Sequence, residues 1–260
     1  MSTIVLPALF AVLVWWASTG VILYLDGLPR RTHRYTLAGA TALLPCAFYG
    51  LVATRGEASV AAAYGAFASA IAVWAWVEVA FLLGYVTGPR RVPCSADGRE
   101  GRRFVQAFAT ILWHELALLA LGAVVLLLTW GAPNPVGAAT FAVLWALRLS
   151  AKLNLFLGVR NVGAEMLPPH LAYLATYFAR RPMNLLFPVT VTAATAASAL
   201  AWLEALAATS PAFDTVAFAL AGTLLALGVL EHWMMVLPIP TSALWSLGMR
   251  SRDPRVTARP

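Results

Sequence analysis

Five charged side chains and two histidines stand inside stretches that are otherwise apolar: Glu78, His114 with Glu115, Arg148 and Lys152, and Glu231 with His232. Arg148 and Lys152 are one helical turn apart and share a face with Trp145, and Asn154 follows just beyond them. Ionisable groups within apolar spans are costly and mark candidate functional sites. Three carboxylates against two cations make a nearly balanced set, and the histidines can adjust its charge.

Three kinds of chemistry suit these residue types. The first is structural: Glu78, Glu115 and Glu231 pair with Arg148 and Lys152 and fix the register of neighbouring helices. Lys152 also has the length to carry its ammonium to the membrane surface. The second is ligand binding, because an imidazole of His114 or His232 could hold haem iron, the magnesium of a chlorin or another metal. A carboxylate-bridged metal pair would draw on the same residues. However, adjacent Glu and His diverge by about 100° on a helix, whereas helical di-iron sites use Glu-x-x-His at one-turn spacing. The third is proton or ion movement, for which the chain offers no inverted repeat and no paired broken helices. It has no phosphate-binding loop, Cys/His metal signature or nucleophile elbow.

The elements that position these residues follow from composition. The chain has 260 residues, 61% hydrophobic and only 11% charged. Soluble domains carry about 25% charged residues, so the chain reads as an integral, all-α helix bundle in a lipid bilayer. Seven segments have spanning length: Ile4 to Leu25, Tyr35 to Thr54, Ala58 to Val86, Phe104 to Trp130, Val136 to Leu157, Met183 to Leu203 and Phe213 to Leu237. The first lacks the basic flank of a signal peptide and reads as a retained helix. Residues 1–247 form one expected transmembrane domain, and 248–260 a short, polar, mobile cytoplasmic tail. Cys46 lies mid-span and Cys94 in a polar loop, which separates them in depth and argues against a disulfide.

The net charge of +7 is carried by arginine apart from Lys152, the single lysine. Arg30, Arg31 and Arg34 follow span one; Arg90, Arg91, Arg99, Arg102 and Arg103 follow span three; Arg160, Arg180 and Arg181 follow span five; Arg250, Arg252, Arg255 and Arg259 follow span seven. The alternate loops hold only Arg55 with Glu57, then GAPNP, then TSPAF. This asymmetry is the positive-inside pattern, which explains the basic charge better than nucleic-acid binding does. It implies a periplasmic N-terminus and a cytoplasmic C-terminus.

On that side the loop between spans five and six reads as ordered, with Arg160, Asn161, Glu165, Pro168, Pro169, His170, Arg180 and Arg181. Leu171 to Phe178 suits the membrane interface. Pro182 suits the first turn of helix six, and Pro188 lies where it would bend that helix. Arg103, Gln106, Thr110 and His114 trace a polar stripe along helix four toward the interior, and Gly228 leaves room beside Glu231 and His232. Ala61, Gly65 and Ser69 in span three, and the run TVTAATAASALA in span six, provide small-residue faces for close helix approach. Such faces serve packing within the chain or docking of another protein's helix.

The strings NLFLGVRN, LPPHLAYLATYFARRPMNLLFPVTVTA and VLEHWMMVLPIP resemble the PuhE-type photosynthetic complex assembly proteins of phototrophic bacteria. The resemblance runs across almost the whole chain and is strongest from Leu147 to Leu247. It implies an assembly factor of the bacterial inner (intracytoplasmic) membrane. Its partners would be reaction-centre or light-harvesting antenna subunits and other assembly factors, and it would influence bacteriochlorophyll supply. No catalytic residue carries over from the family. A second expectation is a cofactor-binding or redox enzyme of pigment biosynthesis, holding bacteriochlorophyll, haem or a metal at His114 or His232.

The arginine pattern generates a topology prediction. A cytoplasm-active reporter fused after Arg103 or at Pro260 is active, and one fused within GAPNP is silent. The opposite pattern overturns the orientation.

Overall fold

The chain is described by a computed structural model covering residues 2–95, 100–207, 209–238 and 248–252. Seven long α-helices are present: α1 Ser2–Asp26, α2 Arg30–Thr54, α3 Val60–Leu82, α4 Glu100–Thr129, α5 Val136–Leu157, α6 Leu186–Leu206 and α7 Ala212–Val236. Each is long and apolar enough to cross a membrane. Between α5 and α6 lie two 3₁₀ turns, Ala164–Met166 and Pro169–Tyr177. The fold is all-helical among the described residues, with one isolated backbone bridge between Val159 and Arg180.

The core lies between α3, α4, α5 and α7, where Phe67, Val77, Leu118, Val125, Leu220 and Leu224 are fully buried. Close approach depends on small residues. On α7, Gly222 sits under the Trp202 indole, and Ser198 on α6 donates to the Gly222 carbonyl at 2.8 Å. Gly65 of α3 meets Thr54 of α2, and Gly50 of α2 meets Ser69 of α3. Gly65 and Ser69 are therefore used for packing within this chain, whereas Ala61 is exposed.

Polar loop contacts gather the helix ends into two groups. At one end, Arg55 donates to the Leu128 carbonyl at 2.8 Å, while Asn134 donates to the Thr54 carbonyl at 3.1 Å and accepts from Val136 N. At the other, Arg103 donates to the Phe156 and Tyr177 carbonyls and stacks on the Phe156 ring, and Arg90 donates to the Tyr177 hydroxyl. The start of α2 with Arg30 joins the same end, beside Arg91 and His170 of the loops after α3 and α5. Arg99, Arg255, Arg259 and Pro240 lie outside the described residues.

Several boundaries differ from the sequence reading for local reasons. The third span ends at Leu82, not Val86, because Gly84 takes φ +84° and turns the chain. Residues 85–90 then run back along α4: His114 N donates to the Thr87 carbonyl at 2.9 Å and Arg90 N to Ala109 at 3.3 Å. Gly88 lies so close to the Ala109 and Thr110 backbone that any Cβ would collide with it. Helix six starts at Leu186, so Pro182 precedes it. Pro188 falls in its first turn, where a missing N–H costs nothing. The cap is Asn184, whose Oδ1 accepts from Leu186 N at 2.9 Å and Phe187 N at 3.1 Å. Residues 248–252, expected to be mobile, dock on α1: Gly248 packs on the Gly20 backbone and Ser251 donates to the Tyr24 carbonyl at 2.7 Å.

Candidate functional site

The intramembrane charges are distributed over four helices, with those of α3, α4 and α7 facing the two cations of α5. Lys152 Nζ donates to Glu115 Oε1 on α4 at 2.5 Å, a direct charge-assisted hydrogen bond. One turn earlier Arg148 Nε stands 3.9 Å from Glu78 Oε1 on α3, at the outer limit of an ion pair. The Glu115 and Glu78 side chains are 10% and 14% exposed, so each carboxylate depends on its cation for solvation. Glu231 on α7 lines the same cavities as Arg148 and Glu78 without reaching ion-pair distance of a cation among the described residues. Arg148 therefore faces Glu78, and Lys152 belongs to Glu115.

These groups surround a cavity of about 290 Å³ whose wall includes Glu78, His114, Arg148, Lys152 and Glu231, with Phe81, Met234 and Met235 among its apolar lining. A smaller cavity of about 100 Å³ shares the Glu78, Arg148 and Glu231 wall. The larger volume is at the low end of the range for ligand pockets. Its positive and negative groups nearly cancel, so it favours no strongly charged guest.

The two histidines differ sharply. His232 is fully used: Nδ1 lies 2.7 Å from the Gly228 carbonyl and Nε2 2.8 Å from Ser150 Oγ. A carbonyl only accepts, so Nδ1–H is the donor, and in the neutral ring Nε2 accepts from the Ser150 hydroxyl. Neither nitrogen is open to a metal. The room expected beside Gly228 is filled by Leu147, which packs directly over it. His114 is 1% exposed, its ring lies 4.5 Å from that of Phe81, and Nδ1 is buried without a hydrogen-bond partner among the described residues. A haem or chlorin ligand would have to use His114. Among the described residues, no group of three or more His, Cys, Asp or Glu converges to hold a metal ion.

Asn154 belongs to a different face of α5. It is completely buried and donates to the Ser150 carbonyl at 3.0 Å, while Asn184 donates to its Oδ1 at 3.0 Å and to the Gly158 carbonyl at 2.9 Å. The sequence-derived set thus separates into a charged group around the cavity and a neutral string, His232–Ser150–Asn154–Asn184. That string latches α7, α5 and the start of α6 together.

The polar stripe of α4 is not a continuous path. Gln106 pairs with Ser95, and Thr110 bonds back to the Ala107 carbonyl at 2.6 Å. In the loop after α5, Asn161 donates to the Met234 carbonyl at 2.8 Å and the Leu237 carbonyl at 2.5 Å, closing the end of α7 beside the cavity. Arg181 packs over Gly158, Arg180 pairs its backbone with Val159, and Arg160 and Glu165 are exposed. His170 lies elsewhere, with Nε2–H donating to the Leu82 carbonyl at 2.9 Å. Ser150, Asn184 and Asn134 were not singled out from the sequence. Their signal is a small polar residue in or beside an apolar run, which many spans contain without consequence.

The chain belongs to the family described as Protein of unknown function (DUF3623), whose model matches residues 1–256. It is 40% identical over 257 residues to an uncharacterized 30.4 kDa protein in the puhA 5′ region of Rhodobacter capsulatus, covering 97% of this chain and 93% of that protein. No solved structure matches it.

The contrast between the histidines is testable by thermal stability of the detergent-solubilised protein. His232→Ala removes the ring's bonds to the Gly228 carbonyl and the Ser150 hydroxyl, leaves a void between α5 and α7, and costs roughly 1–3 kcal/mol. His114→Leu removes an unsatisfied buried nitrogen at similar volume and is neutral or stabilising. The reverse ranking contradicts these assignments.

Proposed function

We propose that this family member is an assembly or biogenesis factor for the photosynthetic reaction centre–light-harvesting complex. It would reside in the bacterial inner (intracytoplasmic) membrane with its arginine-rich end toward the cytoplasm. The observation that carries this reading is the relative encoded in the puhA 5′ region, 40% identical along nearly the whole chain. It agrees with the resemblance to PuhE-type assembly proteins, which share the same puh designation.

Physical features support a holding role. The outer faces of the bundle are apolar and exposed, including Leu43 on α2, Leu127 on α4, and Val189, Leu200 and Leu203 on α6. On α6 most of the Ala/Thr-rich run from 192 to 200 is also exposed, a surface that a partner's helix could approach closely. The ion pairs, whose carboxylates are buried while the Arg148 and Lys152 side chains stay 39% and 25% exposed, would hold the bundle's interior fixed while these faces meet lipid or client helices. An influence on bacteriochlorophyll supply fits the same reading, with pigment delivered as partner helices assemble.

One observation favours a second reading, a cofactor-binding enzyme of pigment biosynthesis: the unpartnered, buried Nδ1 of His114 beside the cavity. Purification from phototrophically grown cells separates the two. The assembly reading expects reaction-centre or antenna subunits to co-purify, no stoichiometric chromophore or metal, and reduced complex absorption on deletion of the gene. A stoichiometric cofactor that disappears in His114→Leu, with no co-purifying subunits, overturns it.

A further inference from the structure

A third cavity, of about 310 Å³, lies at the arginine-rich end where the loops after α1, α3 and α5 meet. Arg30, His33, Thr87, Arg91, His170 and Tyr173 are among the residues that line it, and no carboxylate does among the described residues. In this it is the opposite of the balanced cavity in the bundle. We propose that it binds a phosphate-type oxyanion, as a phospholipid headgroup or a soluble phosphate.

Four features support this ligand class. Arg30 and Arg91 supply fixed positive charge at the rim, both with exposed side chains. The hydroxyls of Thr87 and Tyr173 supply donors in the wall: both oxygens are buried without a partner of hydrogen-bond geometry, and Thr87 is only 1% exposed. The two hydroxyls lie close enough for a weak contact with each other, which can use only one of their two protons and leaves the other for a ligand, and Arg91 stands near the Tyr173 phenol too. Burial nevertheless holds that phenol above its ordinary range, so it keeps its proton and can donate. Buried hydroxyls without partners are costly, and an anion accepting from both removes that cost.

The histidines shape the pocket. His33 Nε2–H donates to the Leu28 carbonyl at 3.0 Å, His170 is held on the Leu82 carbonyl, and the two rings lie 5.9 Å apart. Gly84, at φ +84°, leaves the space that the His170 ring occupies; a Cβ there would stand 2.9 Å from Cδ2. Finally, α2 begins beside the pocket with Pro29 as its cap, no side-chain cap and no acidic residue in its first turn. The positive end of its dipole adds to the potential at the pocket.

The pocket's level, at the starts and ends of helices, is where a bilayer presents headgroups. Basic pockets between helices on the cytoplasmic side hold anionic lipids. A phospholipid seated there could lay its chains on the exposed apolar face of α2, whereas a soluble phosphate needs only the polar wall.

The experiment uses the full-length protein, delipidated and placed in phosphatidylcholine nanodiscs, with binding read by thermal stability and native mass spectrometry. Phosphatidylglycerol and inorganic phosphate are titrated separately at matched ionic strength. The expected result is saturable binding of one of them, weakened about tenfold or more in Arg30→Gln/Arg91→Gln and in Thr87→Val/Tyr173→Phe. Arg31→Gln/Arg34→Gln, of equal charge change outside the pocket, binds normally. Saturation by phosphatidylglycerol alone identifies a lipid site, and saturation by phosphate alone a soluble ligand. No saturable binding of either overturns the proposal, as does equal weakening in Arg31→Gln/Arg34→Gln or unaltered binding in Thr87→Val/Tyr173→Phe.

Discussion

Two cations on α5 cannot enter an apolar span alone, and the interior is arranged around satisfying them. A charged side chain at such depth is tolerated when it faces the bundle and meets an opposite charge. Lys152 reaches Glu115 on α4 at 2.5 Å, and Arg148 stands 3.9 Å from Glu78 on α3, with Glu231 of α7 on the same cavity wall. The two paired carboxylates come from different helices, so the charges fix the rotation of α3 and α4 about α5. The opposite face of α5 uses neutral partners instead, with Ser150 bound to His232 and Asn154 to Asn184. Specific polar contacts therefore act on both sides of one helix. Surrounding apolar packing then fills the remaining volume.

The seven spans were legible because hydropathy and length carry that information directly. Their ends were less so, and the reasons are local. Hydropathy could not stop α3 at Leu82, because the apolar residues after it turn at Gly84 and pack back along α4. It placed the start of α2 at Tyr35 rather than Arg30, since arginines read as loop although their side chains extend outward from a helix's first turn. The buried polar residues could be named from their rarity, but not their partners. Depth along the membrane is readable from sequence; rotation about each helix axis is not. That is why Glu78 rather than Glu115 or Glu231 stands at ion-pair distance from Arg148, and why His232 turned toward Ser150. Asn184 and Thr87 escaped notice for a related reason: their surroundings are set by backbone of distant segments.

The molecule thus holds two polar centres of different character. One is intramembrane and balanced in charge, with His114 as its unpartnered group. The other lies at the helix ends, is basic and is lined by the Thr87 and Tyr173 hydroxyls. The holding role proposed above needs a rigid interior and adaptable outer faces, and the balanced centre would supply the rigidity. The basic pocket would tie the same bundle to an anionic group at the membrane surface.

The central claim is that the ion pairs on α5 are energetic contacts rather than neighbours by accident. A double-mutant cycle across Lys152 and Glu115, read by thermal or denaturant unfolding of the solubilised protein, tests it most directly. Removing one partner of a buried pair costs roughly 3–5 kcal/mol, while replacing both together costs far less. The account predicts that Lys152→Met and Glu115→Gln are each strongly destabilising and that the double variant is more stable than their sum requires. Additive effects, with no coupling between the two positions, would contradict it.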